Sequence, residues 1–121
     1  MKECIVPSAA IVNTARRSDQ FSVNENVPEI NLLLTYRKGT ETGMRIQVEY
    51  APNADGIWSL MSDTAGIGVN PLTPWTLRLT ADAQATFPLK LTNYGFYRIV
   101  YWSENVGAPY GTFEAYVIRD V

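Results

Sequence analysis

Carboxylates are the side chains of this 121-residue sequence best suited to acid–base chemistry, because the sequence contains no histidine. Histidine is the commonest general base and the usual partner of a serine or cysteine nucleophile. Glu49 and Glu114 each alternate with apolar neighbours, which predicts that both point off the wet face of a β-strand. Glycoside hydrolysis needs two carboxyl groups about 5 Å or ~6.5–9.5 Å apart in a cleft. Solvated acids on strands are commoner than such a pair, so we expect no enzymatic activity.

Metal and cofactor sites are equally hard to build from this sequence. Cys4 is the single cysteine, so neither an internal disulfide nor an ordinary structural zinc site can form within the chain. Asn53, Asp55, Asp63 and Asp82 offer oxygen ligands, but their spacing matches no calcium loop. Turn chemistry already accounts for Asn53 and Asp55. No glycine loop precedes a helix that would hold phosphate. We therefore expect no metal and no cofactor.

The charge pattern bears on the kind of partner. Twelve acids against ten bases give a net charge of −2, with no basic run. Nucleic-acid binding needs a clustered Lys/Arg footprint, so a nucleic-acid partner is not expected. The adjacent basic pair, Arg16 and Arg17, is followed closely by Asp19. No segment approaches the ~20 apolar residues that span a bilayer, so the sequence predicts a soluble protein without a membrane partner.

Aromatic side chains are the enriched feature, with three tryptophans, seven tyrosines and four phenylalanines. In the segment 96–102, alternation places Phe96, Arg98, Val100 and Trp102 on one face and Tyr97, Ile99 and Tyr101 on the other. One of these faces belongs to the core, and the other is open to contact with a protein or a sugar, since Tyr and Trp favour interfaces. The residues that we expect to contact a partner are Arg16, Arg17, Phe21, Tyr97, Tyr101 and Trp102.

The elements that position these residues are β-strands. Period-two alternation is clearest at 44–50, where Met44 and every second residue after it point one way, and it recurs at 75–80 and 113–117. The segments 30–36 and 96–102 are apolar on both faces, which is typical of central strands or of strands whose second face meets another surface. Pro88 lies inside a weaker strand and predicts a sheet edge or a bulge there.

Turn residues separate the strands. Residues 38–43 and 52–56 each predict a hairpin, while 62–74 form a loop that is long for a compact domain. About eight strands result, without an amphipathic helix. The sequence predicts an all-β fold, an antiparallel β-sandwich or jelly-roll-like arrangement, in a single domain over residues 1–121. Residues 1–26 are expected to form an N-terminal arm or an edge strand.

Several runs of residues resemble a known family in their order along the chain. They are Thr14-Ala-Arg-Arg-Ser-Asp-Gln20, the strand at 30–36, the strand at 44–50, Asp55-Gly-Ile-Trp-Ser-Leu60, Tyr97-Arg-Ile-Val-Tyr101 and Thr112-Phe-Glu-Ala-Tyr-Val-Ile118. This order resembles the small β-sandwich virion proteins of tailed bacteriophages, which decorate the head shell or serve as minor structural parts. The resemblance covers nearly the whole chain but contains no diagnostic motif. The chain departs from the family in its richer Trp and Tyr content and in the 62–74 loop.

The resemblance implies a non-enzymatic capsid decoration protein that stabilises the head shell by protein–protein contacts. Its implied partners are the major capsid protein or other virion proteins, and its location is the virion, assembled in the host cytoplasm. Self-association into a homo-oligomer is a further expectation, since a doubly apolar strand leaves a face that a sister copy can cover. The alternative is a carbohydrate-binding module that uses Trp58, Trp75 or Trp102 to stack on a sugar ring.

Overall fold

The computed structural model describes residues 2–23, 29–61, 76–90, 95–104 and 110–119. Within these ranges it contains ten strands: β1 (Lys2–Ala10), β2 (Arg16–Arg17), β3 (Phe21–Val23), β4 (Glu29–Arg37), β5 (Met44–Ala51), β6 (Ser59–Leu60), β7 (Thr76–Leu79), β8 (Ala83–Lys90), β9 (Gly95–Ser103) and β10 (Thr112–Arg119). The described ranges hold no helix long and apolar enough to cross a membrane. Asp63, Trp75 and the loop at 62–74 lie outside them.

The strands form two antiparallel sheets that pack face to face. Sheet A has the order β1-β10-β4-β8. In sheet B, β9 and β5 are neighbours at the centre; β2 and β3 both pair with the outer side of β9, and β6 and β7 both pair with the outer side of β5. Each of these two pairs of short strands fills one strand position. The ten strands therefore occupy eight positions in a jelly-roll arrangement, which confirms the predicted fold class.

One hydrophobic core lies between the sheets, and alternation along the strands builds it. In β5, Met44, Ile46 and Val48 are fully buried, while Arg45 is exposed. β10 contributes Phe113 and its alternate neighbours from the opposite sheet. The Phe113 ring lies 5.1 Å, centroid to centroid, from that of Tyr101 in sheet B. The two-residue period in the sequence therefore predicted the inward faces of both strands.

The two strands predicted to be central hold that position. β4 pairs with β10 on one side and with β8 on the other, and β9 lies between β5 and the β2/β3 pair. Neighbours on both sides satisfy the backbone hydrogen-bonding groups of a strand, whereas burial of its side chains depends on what covers each face of the sheet. Pro88 lies on β8, at the edge of sheet A, where a missing backbone N–H is tolerated.

The N-terminal segment is built into the sandwich. β1 pairs with β10 over Lys2–Ala10 with two irregularities in register, and β2 and β3 pair with β9. Residues 2–23 thus supply edge strands, and the described part of the segment is not a projecting arm. Five of its side chains are buried in the core: Ile5, Val6, Ile11, Phe21 and Val23.

The turn predicted at 38–43 is real, but it does not close a hairpin. β4 before it belongs to sheet A, and β5 after it belongs to sheet B, so these residues cross from one sheet to the other. Within the crossing, Glu41 is completely buried, and its carboxylate accepts hydrogen bonds from the backbone N–H groups of Gly39 and Gly111. Residues 52–56, by contrast, do connect the paired strands β5 and β6, as predicted.

Candidate functional site

The outer face of sheet B carries two groups of ion-paired side chains and the indole of Trp102. The register of the strands arranges them in three adjacent rows: Trp102, Arg45 and Arg78; Arg17, Val100, Gln47 and Thr76; Arg98, Glu49 and Leu60. We call these ten residues, together with Glu104, the arginine face. It consists of side chains that alternate away from the core, so its composition follows from the same period that builds the interior.

Glu49 is the acidic centre of one ion-pair group. Its Oε1 atom lies 2.7 Å from Nε of Arg98 and 3.1 Å from Nε of Arg17. The Glu49 side chain is largely buried beneath the two guanidinium groups, which belong to β9 and β2. Charge-assisted hydrogen bonds of this kind are stronger than neutral ones. Glu49 therefore links the central strand β5 to β9 and to β2.

Glu104 is the acidic centre of a second group at the end of β9. Its Oε1 atom lies 2.6 Å from Nε of Arg78, and its Oε2 atom lies 3.6 Å from Nε of Arg45. The hydrogen bond from Arg78 and the charges of both arginines hold the pKa of the Glu104 carboxyl below its ordinary value, against the opposing effect of burial. Arg45 and Arg78 face each other across paired strands, and the carboxylate offsets their repulsion.

A shallow groove of about 450 Å³ runs across the arginine face. Its walls combine polar groups with apolar surface; the lining includes Arg17, Gln47, Glu49, Val100 and Trp102. This volume is within the ~300–1,000 Å³ typical of ligand-sized sites.

Beside the groove, the indole of Trp58 has the guanidinium of Arg98 over it at 4.1 Å from the ring centroid. A cation over an aromatic ring is attracted by the charge distribution of that ring. The contact therefore ties the segment before β6 to the centre of the face.

The six residues predicted to make contacts divide between the surface and the core. Arg17 and Trp102 line the groove, and Arg16 is exposed on the edge strand β2. Phe21 and Tyr97 are 2% and 3% exposed, and their rings stack within the core at a centroid distance of 6.1 Å. Tyr101 also faces inward and is half-buried, and burial raises the pKa of its hydroxyl. Phe21 and Tyr97 thus serve packing instead of surface recognition.

The two glutamates considered as a hydrolytic pair are far apart. Glu49 lies on the outer face of sheet B, whereas Glu114 alternates with the buried Phe113 and Ala115 and so lies on the outer face of sheet A. The whole core separates them. Among the described residues, no group of three or more His, Cys, Asp or Glu side chains is placed to hold a metal ion.

Sequence reasoning did not single out Arg45, Arg78 or Glu104 as part of the surface. The alternation at 44–50 predicted that Arg45 points outward, and the pattern at 75–80 does the same for Arg78. That the two lie directly opposite each other depends on the pairing of β5 with β7, which brings together residues 33 positions apart. Local patterns contain no signal for that register.

Comparisons with known proteins give a likeness of fold. No protein-family model and no curated protein sequence matches the chain. Among solved structures, the chain is similar to the SPBc2 prophage-derived protein YomS, with a TM-score of 0.59 and 11% identity, over 99% of this chain and 92% of that one. It is also similar to a structure of Bacillus endospore appendages, described as disulfide-linked pili, with a TM-score of 0.50 and 13% identity, over 98% and 85% of the two chains.

Proposed function

We propose that this chain is a non-enzymatic structural protein of a virion, and specifically a head decoration protein of a tailed phage. In this role it stabilises the shell by contacts with the major capsid protein or other virion proteins, and it is located in the virion after assembly in the host cytoplasm. The observation that carries the proposal is the likeness of nearly the whole chain to a prophage-derived protein. The resemblance of the sequence to phage virion proteins points the same way.

A pilus subunit is the competing structural role, because the second similar structure belongs to disulfide-linked pili. Cys4 is the single cysteine of this chain and lies exposed on the edge strand β1. One thiol can join two copies, but a continuous disulfide-linked polymer needs at least two thiols in each copy. Attachment to a shell needs no such linkage, since many modest contacts add up when copies bind a repeating lattice. The single thiol therefore favours decoration over a disulfide-linked pilus.

The sugar-binding alternative receives less support from the tryptophans. Trp58 has Arg98 over its ring, and Trp102 is half-buried and lines the groove. Sugar stacking needs an open indole face, and Arg98 already covers one face of Trp58. Trp75, the third candidate, lies outside the described residues.

The proposal is tested by co-sedimentation with expanded empty capsids of a tailed phage whose genome encodes this chain. Decoration predicts saturable binding to assembled shells and none to unassembled capsid subunits, because the site spans neighbouring subunits. A β-sandwich protein of similar size and charge serves as the control for trapping in the pellet. Absence of shell binding, or equal binding to free subunits, overturns decoration.

Deletion of residues 1–26 is not a suitable variant for this test. It removes β1, β2 and β3 together with five core side chains, and core truncations cost several kcal/mol each. Loss of binding by such a variant would report unfolding. Surface substitutions on the arginine face leave the core intact and are used below.

A further inference from the structure

The arginine face differs in charge from the rest of the molecule. It contains four arginines, Arg17, Arg45, Arg78 and Arg98, against Glu49 and Glu104, which gives a net charge of +2. The whole chain has a net charge of −2, so the remainder has a net charge of −4. A positive surface on an acidic protein attracts an acidic partner and orients it toward that surface.

The arginines keep hydrogen-bonding capacity for such a partner. Among the described residues, the ion pairs of Arg17, Arg45 and Arg78 are formed through Nε, and each of the three side chains remains about half exposed. A guanidinium bonded through Nε still carries Nη groups that donate to a second acceptor. Glu49 and Glu104 thereby restrain the guanidinium groups, and the Nη groups of a half-exposed arginine have the fork geometry that suits a carboxylate.

Exposed apolar side chains at the same site favour a protein over a sugar. Ile57 is 90% exposed and Leu60 is 43% exposed, and they are the large hydrophobic residues most exposed in the described part of the chain. Leu60 lines the groove opposite Val100 and Trp102, and Ile57 precedes Trp58 in the adjoining segment. Arginine and tryptophan beside exposed aliphatic groups are typical of the centre of a protein–protein interface. Aliphatic side chains add little to the polar edges of a sugar.

We infer that the arginine face binds an acidic protein segment, with carboxylates against Arg17, Arg45 and Arg78 and an apolar side chain in the groove beside Leu60 and Trp102. The inference deepens the proposed function, because it names the chemistry of the virion surface that the protein contacts. It makes sheet B the side that faces the shell and leaves sheet A outward.

The test uses a short synthetic peptide that alternates glutamate with leucine, and a counterpart that alternates glutamine with leucine. Binding is measured by titration calorimetry, with tryptophan fluorescence, to which Trp58 and Trp102 contribute, as a second readout. The glutamate peptide is expected to bind saturably and at least fivefold more tightly than its counterpart, and more weakly as salt is raised, since salt screens exposed charges. Equal affinity for the two peptides overturns the inference.

Matched substitutions locate the binding. The double variant Arg45→Gln/Arg78→Gln removes two positive charges from the face, and Arg37→Gln/Lys38→Gln removes two from an exposed site near Asp82. The first is expected to weaken binding of the glutamate peptide at least fivefold, and the second less than twofold. Equal losses in the two variants indicate attraction by net charge alone and overturn the inference.

Folding and rival ligands are separated in the same series. Thermal unfolding tests whether each variant is folded. If the double variant is unfolded, the single variant Arg17→Gln replaces it, because Arg98 still pairs with Glu49 there. Binding of polygalacturonate without binding of either peptide assigns the groove to an acidic saccharide and overturns the inference. Shell binding that is insensitive to these substitutions also overturns it while retaining decoration. Peptide binding without shell binding overturns decoration alone.

Discussion

Replacing Glu41 with glutamine tests whether the crossing from sheet A to sheet B is held by a buried negative charge. The Glu41 carboxylate is 0% exposed and accepts hydrogen bonds from the backbone of Gly39, in its own loop, and of Gly111, just before β10. Glutamine has nearly the same shape and keeps one carbonyl oxygen as an acceptor. The substitution therefore removes the charge without creating a cavity.

The expected loss of stability follows from the two donors. A hydrogen bond to a charged group contributes about 1.5–3 kcal/mol, and a neutral one about 0.5–1.5 kcal/mol. Losing the charge at both Gly39 and Gly111 therefore costs about 2–3 kcal/mol. For 121 residues the entropy of unfolding is about 0.25 kcal/mol per kelvin, so Tm is expected to fall by about 8–12 °C.

Urea and thermal unfolding, followed by circular dichroism, measure this effect. Glu114→Gln is the matched control, because it makes the same chemical change on the outer face of sheet A, and surface substitutions usually stay within about 0.5 kcal/mol. A Glu41→Gln variant that falls within about 0.5 kcal/mol of the parent would refute the role assigned to the charge. A change in the urea m-value instead would indicate an altered unfolded state.

Three further predictions concern single side chains. Gly95→Ala is expected to cost about 2 kcal/mol in urea unfolding, because Gly95 has a φ of 151° and a β-carbon there would lie 2.8 Å from a ring carbon of Tyr50. Burial and the nearby Glu41 charge raise the pKa of the Tyr36 hydroxyl. The folding stability that results from this raised pKa is complete below about pH 10 and is lost as the pH rises above it. Tyr36→Phe is therefore expected to reduce the alkaline loss of stability by about 1.4 kcal/mol per pH unit. The lowered pKa of Glu104 stabilises the fold above about pH 4, and this stabilisation is lost on acidification. Glu104→Gln is therefore expected to make the free energy of unfolding depend less on pH between about pH 5 and pH 3.

Each of these three predictions has an outcome that contradicts it. For Gly95, a fully stable alanine variant would mean that the backbone relaxes away from the positive φ. For Tyr36, the absorbance of ionised tyrosine should show that one fewer tyrosine titrates during alkaline unfolding of the variant. If stability depends on pH as steeply in the variant as in the parent, ionisation of Tyr36 is not coupled to unfolding. For Glu104, an acid limb as steep as that of the parent would assign acid sensitivity to other carboxylates.

The sequence predicted local geometry better than long-range pairing. Alternation at 44–50 and 113–117 correctly assigned inward and outward faces, because that period is a property of a single strand. Turn residues marked the crossing at 38–43 but could not tell it from a hairpin, since glycine and polar residues permit a reversal without specifying which sheet follows. Glu41 was not singled out from the sequence as a buried residue. Its donor, Gly111, is 70 residues away.

The candidate site shows the same limit. Arg17 and Trp102 were predicted to make contacts and lie in the groove, whereas Phe21 and Tyr97 proved to be core residues. An aromatic residue on a strand that is apolar on both faces carries no local sign of which face is inward. That choice is made by the opposite sheet, which covers Tyr97 and leaves Trp102 at the surface.

The pairing of β1 with β10 has a consequence for how the protein is made. Lys2 pairs with Ile118, and β10 lies between β1 and β4 in sheet A. A ribosome produces β10 after the other strands that the structure describes, so sheet A cannot close before β10 has been synthesised. Until then Leu32 and Leu34 of β4 lack the neighbour that covers that side of the strand. Pairings this distant in sequence also make folding slow. The nascent chain is therefore most vulnerable to misassociation in the interval before β10 emerges.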